Sequence, residues 1–333
     1  MNKATKITLI VISSVLALIF VAMAGFAILQ RVKHTSFYKD AHKAFKIPGL
    51  WGGSVPQGFE YLPGIETFLY TGYHKDGESP SMVYIMPENG KGEAREVLLY
   101  EQDGTTPFNG HVGGITVFDD YAYIADGFGV AVFSVFDILD SDGVATQLGE
   151  IENEFQVAFV EVYNGFLYVG NFYRAGDYET PKSHHRETPN GDQNTAMIYV
   201  YELNVTSGYP IRTAPSFMFS ITDAIQGMAF GDNGEIFLSS SWGLSTSKIY
   251  VYDPNKLSYS LERLESGRLV ELAYLDSGCL IEVIEAPPMA EELVYHDGEL
   301  YIMSESASMK YLFGKLTNGA WCYAYEYEAR EAE

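Results

Sequence analysis

The sequence is short of cysteine and of positive charge, and each shortage removes a class of function. Only two cysteines occur, Cys279 and Cys322. They form no C-x-x-C pair and have no histidine at zinc spacing, which excludes zinc modules and disulfide-rich scaffolds. One bridge between them and two buried free thiols both fit that count. Lys and Arg total 21 against 44 Asp and Glu, a net charge of −23. So acidic a surface repels phosphate backbones and anionic lipid head groups, which argues against nucleic acid and favours cationic ligands or a divalent metal. Familiar catalytic signatures are missing as well, with no G-x-S-x-G elbow, P-loop or H-E-x-x-H.

Long apolar runs are also absent, with one exception. Residues 7–29 carry no charge, and about 20 such residues cross a bilayer as a helix. Lys3 and Lys6 precede the run, and Ala22-Met23-Ala24 matches a signal-peptidase pattern. The apolar character continues through Phe26, Ile28 and Leu29, so residues 1–30 are expected to be a retained signal-anchor. The cations that follow, Arg31, Lys33, Lys39, Lys43 and Lys46, pull the chain towards the cytoplasm under the positive-inside rule. A short Lys-bearing tail ahead of the run is instead the start of an exported protein. The expectation is a single-pass cell-membrane protein with its main domain extracytoplasmic and residues 31–54 as a juxtamembrane linker. Within that linker Phe37, Ala41 and Phe45 stand at i, i+4, i+8, which predicts a short amphipathic helix ended by Pro48-Gly49, either lying on the membrane surface or serving as a linker or plug packed under the domain.

What the chain has in plenty is Tyr (25), Phe (20) and Gly (32), the composition of strands joined by tight turns. Residues 225–253 show one unit in full: an apolar strand, the turn Gly231-Asp232-Asn233-Gly234, a second strand, then a third. Copies begin near residues 57, 111, 157 and 290, with 309–316 as the third strand of the last copy. Apolar segments 95–100, 146–151, 216–221, 279–284 and 321–327 supply a fourth strand to each. The predicted fold is an all-β β-propeller of four-stranded blades over residues 55–333, with five blades, or six with one degenerate. Gly58, Gly113 and Gly227 fall where first strands crowd the axis, and the other two copies carry Ala158 and Glu292 there.

The runs QGMAF and GEIFLSSS, with APPMAEELVYHDGELYIMSESAS, resemble the propeller superfamily of gluconolactonase-like, paraoxonase-like and strictosidine-synthase-like proteins. The look is nearest to membrane-anchored bacterial propellers, over residues 55–327. The resemblance implies the propeller fold and, from its calcium-dependent hydrolases, a lactonase- or esterase-type activity. Those hydrolases open their first strand with a Glu-Gly-Pro-like turn, where this chain has Pro56-Gln57-Gly58.

In a propeller, first strands begin and second strands end on one face, so residues there converge on the mouth of the central channel. Gln57, His111, Gln226 and Glu291 stand at strand starts; Asp126, Asn171, Ser240 and Glu305 stand at strand ends. Asp126, Asn171, Glu291 and Glu305 supply the oxygens a calcium ion takes. Gln57, Gln226, Ser240 and Trp242 are the candidate contacts to a glycan, small-molecule or protein ligand. His111 is the candidate general base. The insertion 174–195 rises from the same face with His184-His185, Asp177, Glu179 and Asp192, either as a metal or gating element or as a solvated loop. Two functions follow: a binding module with an acidic, calcium-holding channel mouth, and a metal-dependent hydrolase using His111.

Overall fold

Tight turns and tyrosine-rich strands assemble into five antiparallel four-stranded blades in a computed structural model that describes residues 3–327. Blade one comprises Ser54–Leu62, Thr67–His74, Met82–Pro87 and Arg95–Tyr100; blade two comprises Ile115–Phe118, Tyr121–Asp126, Gly129–Ser134 and Val144–Glu152. Blade three comprises Val157–Tyr163, Phe166–Asn171, Ala196–Glu202 and Phe217–Ile221, and blade four Ile225–Phe230, Ile236–Ser240, Ser247–Tyr252 and Leu280–Ala286. The innermost strands of all five touch in turn, and the fifth touches the first, so the ring closes. The fold is a five-bladed propeller.

The fifth blade corrects the sequence reading. Its first two strands are Ala290–His296 and Glu299–Ser304, but residues 309–316 form no strand: Leu312–Leu316 is a short 3-10 helix. Trp321–Glu326 is the third strand, and the fourth comes from the other end of the chain. Helix α2 (Thr35–Asp40) leads into strand β1 (Ala41–Lys46), which pairs antiparallel with Trp321–Glu326. The expected linker therefore clasps the ring. A spacing of four suits both a helix and a strand of period two, so Phe37, Ala41 and Phe45 could not distinguish them. Phe37 is buried beside Tyr323 and Tyr325, and Phe45 against Phe59, Phe68 and Tyr70.

Axial crowding is as the glycines predicted. A Cβ on Gly58 would fall on the carbonyl oxygen of Gly113 in blade two, and one on Gly113 would meet the carbonyl oxygen of Ala158 in blade three. Where the fifth copy has Glu292 instead of glycine, the side chain reaches across the axis. One carboxylate oxygen accepts from the backbone N–H of Phe59 (3.1 Å) and of Ile115 (3.0 Å), linking blade five to blades one and two. The core consists of clusters between adjacent blades. Cys279 and Cys322 are free and buried in different clusters, which settles the cysteine alternatives in favour of thiols. A hairpin, Ser258–Arg263 with Leu269–Tyr274, leaves blade four and extends blade three through parallel pairing with Phe217–Ile221.

Helix α1 (Lys3–Lys33) carries the apolar run, and no residue of it is buried. It is long and apolar enough to cross a membrane and is compatible with an anchor or a signal sequence.

Candidate functional site at the channel mouth

First strands begin and second strands end on what is here called the upper face. A cavity of about 510 Å³ opens there at the head of the channel. Seven of the nine residues singled out from sequence line it: Gln57, His111, Asp126, Gln226, Trp242, Glu291 and Glu305. The other two do not. Asn171 turns away to cap the neighbouring strand, its side-chain oxygen accepting from Met197 N (2.8 Å) and its amide meeting His184 Nδ1 (3.0 Å). Ser240 donates to the carbonyl of Asp223 (3.3 Å), and Ser241 lines the cavity in its place.

The floor is polar. Glu291 is buried, and it faces Glu305 within hydrogen-bonding range. Two buried carboxyl groups so placed resist ionising together, which favours retention of a proton by the pair. Burial, then the neighbouring Glu305 charge, pushes Glu291 well above the usual carboxylate range. Burial raises Glu305 to about 7, against the pull of Lys310, Gln57 and Glu291. Gln57 donates to Glu305 Oε2 at 3.0 Å, and Lys310 donates to the Tyr73 hydroxyl at 2.5 Å. His111 stacks on the same Tyr73 ring, centroids 4.3 Å apart; desolvation and the Lys310 charge hold its pKa below the ordinary value. Asp126, also raised by burial, to about 6, feels Glu150 and Glu101 rather than the Glu291–Glu305 pair.

The wall is aromatic. Trp242 packs against Phe172 and Tyr178 at 6.0 and 5.9 Å between centroids, with the Arg174 guanidinium over its ring at 5.1 Å. Phe172, Tyr178 and Tyr311 also line the cavity. Sequence reasoning passed over these three, along with Lys310 and Tyr73. The signal for Phe172 was present, since it directly follows the strand-end position 171. Tyr178 lies in an insertion, where no repeat register assigns a direction, and Lys310 lies in the segment 309–316 that the sequence pattern assigns to a third strand.

The insertion 174–195 is built rather than open. It contains a 3-10 turn, Lys182–His184, and a two-residue ladder pairing Arg186–Glu187 with Gln193–Asn194. Its histidines part: His184 is buried against Asn171 and Phe155, while exposed His185 meets Thr180. Glu179 accepts from Gly176 N and Asp192 from Ser277 N. The four residues expected to hold calcium do not converge either, because Asn171 points elsewhere and Asp126 stands apart. Among the described residues, no group of three or more His, Cys, Asp or Glu side chains is placed to hold a metal ion.

No family model and no curated protein matches the chain. Among solved structures, it is similar to glutaminyl cyclase from Myxococcus xanthus at 9% identity and TM-score 0.45, covering 86% of this chain and 94% of that one. It is similar to the PQQ-bound aldose sugar dehydrogenase of Streptomyces coelicolor at 14% identity and TM-score 0.42, covering 79% and 76%. A third is the exo-β-1,3-galactanase of Phanerochaete chrysosporium solved with galactose, at 12% identity and TM-score 0.44, covering 82% and 59%. Likeness at this level concerns fold alone, and the ladders above establish the propeller independently.

Proposed function

We propose that the protein is a membrane-tethered, extracytoplasmic propeller whose upper cavity binds a neutral, hydroxyl-rich ligand of the saccharide type. One observation carries this reading: a polar floor of Gln57, Glu291, Glu305 and Lys310 faces the aromatic wall of Trp242, Phe172 and Tyr178 across a single cavity. Aromatic faces stack on the C–H surface of a sugar ring, while carboxyl, amide and ammonium groups bond its hydroxyls. Burial and mutual repulsion favour a proton shared by Glu291 and Glu305, and the Lys310 cation stands beside them, so the floor carries little net charge, with Asp126 set apart in the lining. A fixed-charge ligand finds no net complement there, and a polyol finds donors and acceptors.

Calorimetric titration of the full chain in detergent with a panel of neutral mono- and disaccharides tests the reading. Binding is expected at a Kd on the order of micromolar to millimolar, weakened about tenfold by Trp242→Ala, a loss of roughly 1.4 kcal/mol. Absence of binding across the panel, or unchanged affinity in that variant, would reject it. The tether and its direction have their own assay: protease added to intact cells should degrade the propeller, and protection until lysis would place it inside.

A further inference from the structure

The upper face carries the cavity, and it is also the face from which the membrane helix departs. His34, buried at the junction after α1, bonds Gln30 O through Nδ1 (2.9 Å) and Thr246 Oγ1 through Nε2 (3.3 Å). Thr246 lies between Ser240, where a second strand ends, and Ser247, where a third begins. That loop belongs to the upper face. The last turns of α1 pack on Leu312–Leu316, in the upper connection of blade five. Ala24, Phe26, Ala27 and Gln30 are half-buried, whereas residues 4–23 are exposed. At 1.5 Å per residue, residues 7–23 project roughly 25 Å beyond the domain.

There is no slack in the joint. The backbone N–H of His34 bonds to Gln30 O and that of Tyr38 to His34 O, so helical hydrogen bonds bridge α1 and α2. Helix α2 leads directly into the strand that closes the ring. A flexible tether would let the propeller tumble; this connection sets its attitude. The same face exposes large apolar side chains in separate upper loops: Trp51 (80%), Phe128 (65%) and Leu244 (45%). Lys315 lies 4.0 Å over the Trp51 ring, and Arg31 and Lys33 end the helix. Aromatic rings with nearby cations are the side chains that settle at a bilayer interface. An acidic protein is not thereby repelled, since these cations gather where the helix leaves.

We infer that the upper face lies on the bilayer surface, with Trp51, Phe128 and Leu244 at the interface, and that the cavity takes the sugar-like head group of a membrane lipid. The ligand class rests on the saccharide reading above; the orientation does not. A head group standing out of the membrane enters the cavity from below its rim, and its lipid tail stays in the bilayer. Binding then gains from confinement of both partners to one surface.

The test uses the full chain reconstituted in phosphatidylcholine vesicles. In a Trp242→Phe, Trp321→Phe background, lipids brominated near the head-group end of their chains should quench the Trp51 emission, which Trp51→Phe removes. With all three so replaced, a tryptophan placed by Ile65→Trp in a lower-face loop should emit unquenched. Quenching of the Ile65→Trp probe, or Trp51 emission left unquenched, overturns the orientation. In the second arm, a glucosyl diacylglycerol in the vesicles is compared with methyl glucoside in solution. The vesicle-borne sugar should bind about tenfold or more tightly, and Glu305→Gln should weaken it. Equal affinity for the free glucoside overturns the lipid source. Should neither form bind while the quenching pattern holds, the saccharide reading and the ligand half of the inference fall together and the orientation stands.

Discussion

Glu291 and Glu292 are adjacent on one strand, and their surroundings assign them opposite tasks. Glu292 points into the channel and gives one oxygen to two backbone N–H groups of two other blades. Glu291 points to the cavity floor, where its partner is another carboxyl group; the Oε1 of each of the two residues is buried without a hydrogen-bond partner, so the contrast lies in what their other oxygens meet. Backbone donors make the first a staple between blades. A place in the cavity lining, with a carboxyl group rather than backbone donors as partner, makes the second a candidate ligand contact. The largest effect expected from breaking the contrast is on the staple. Glu292→Ala orphans two buried N–H groups at roughly 1–3 kcal/mol each and should destabilise the propeller by about 4 kcal/mol. Glu292→Gln keeps an acceptor oxygen and should cost under about 1 kcal/mol. Urea unfolding of both variants checks this, and equal losses would show that shape rather than hydrogen bonding holds the axis.

A somewhat smaller effect belongs to the glycine positions that Glu292 replaces. In Gly58→Ala the new methyl group meets the Gly113 carbonyl and the Ile115 amide nitrogen, backbone atoms that cannot rotate aside. A loss of about 3 kcal/mol is expected. Gly64→Ala, with nothing within 4 Å of its Cβ, should change stability by under about 0.5 kcal/mol. The thermal midpoints of the two variants compare axis with periphery directly.

These two positions also show how far the sequence could be read. The repeat register identified the axial glycines and marked Glu292 as an exception to them. It could not say what the exception does, because the partners of Glu292 lie 177 and 233 residues away in sequence. The same register brought six of its eight strand-start and strand-end candidates to one cavity, where the loop residue Trp242 joins them. It failed for Ser240, which turns to the Asp223 carbonyl, for Asn171, whose partner His184 sits in an insertion, and for Lys310, assigned to a third strand that does not form; Tyr178, in an insertion, had no register at all. The ring-closing strand was lost differently. Its pattern suited a helix equally well, and its pairing partner Trp321–Glu326 stands at the far end of the chain. Local pattern determines blades, whereas closure and site geometry depend on contacts between distant segments.

Acidity should sharpen the comparison with a more modest shift. Burial raises Glu305 and Glu60 to about 7 and Asp126 to about 6, and raises Glu291, Glu292 and Glu161 further. A carboxyl group whose folded pKa exceeds its unfolded value of 4.5 binds its proton more tightly in the native state. Its stabilising contribution is complete below the unfolded value and is lost as pH rises through the folded one. The propeller should therefore melt higher, by roughly 5 °C, on going from about pH 8 to about pH 6.5. Below that range His34, His111 and His184, all lowered by burial, act with the opposite sign. Differential scanning calorimetry across that interval reads the slope, and a midpoint that falls on acidification would contradict the buried-acid picture.

Glu305→Gln should have the smallest effect on stability and the most informative one. The amide removes a group that is costly to ionise, so the variant should gain under about 1 kcal/mol near pH 8 and little near pH 6. Its melting curve should depend less on pH than that of the wild type. Gln57 now donates to Glu305 Oε2, and the substituted side chain retains an oxygen for that bond, so local packing has no reason to change. Glu291 would lose the neighbour that most strongly competes for its proton and should ionise more readily. Ligand affinity, by contrast, should fall about tenfold because the cavity floor exchanges an acceptor for a donor. A loss of affinity together with a small gain in stability would mark Glu305 as a residue kept for binding. A loss of both would place it beside Glu292 as part of the frame.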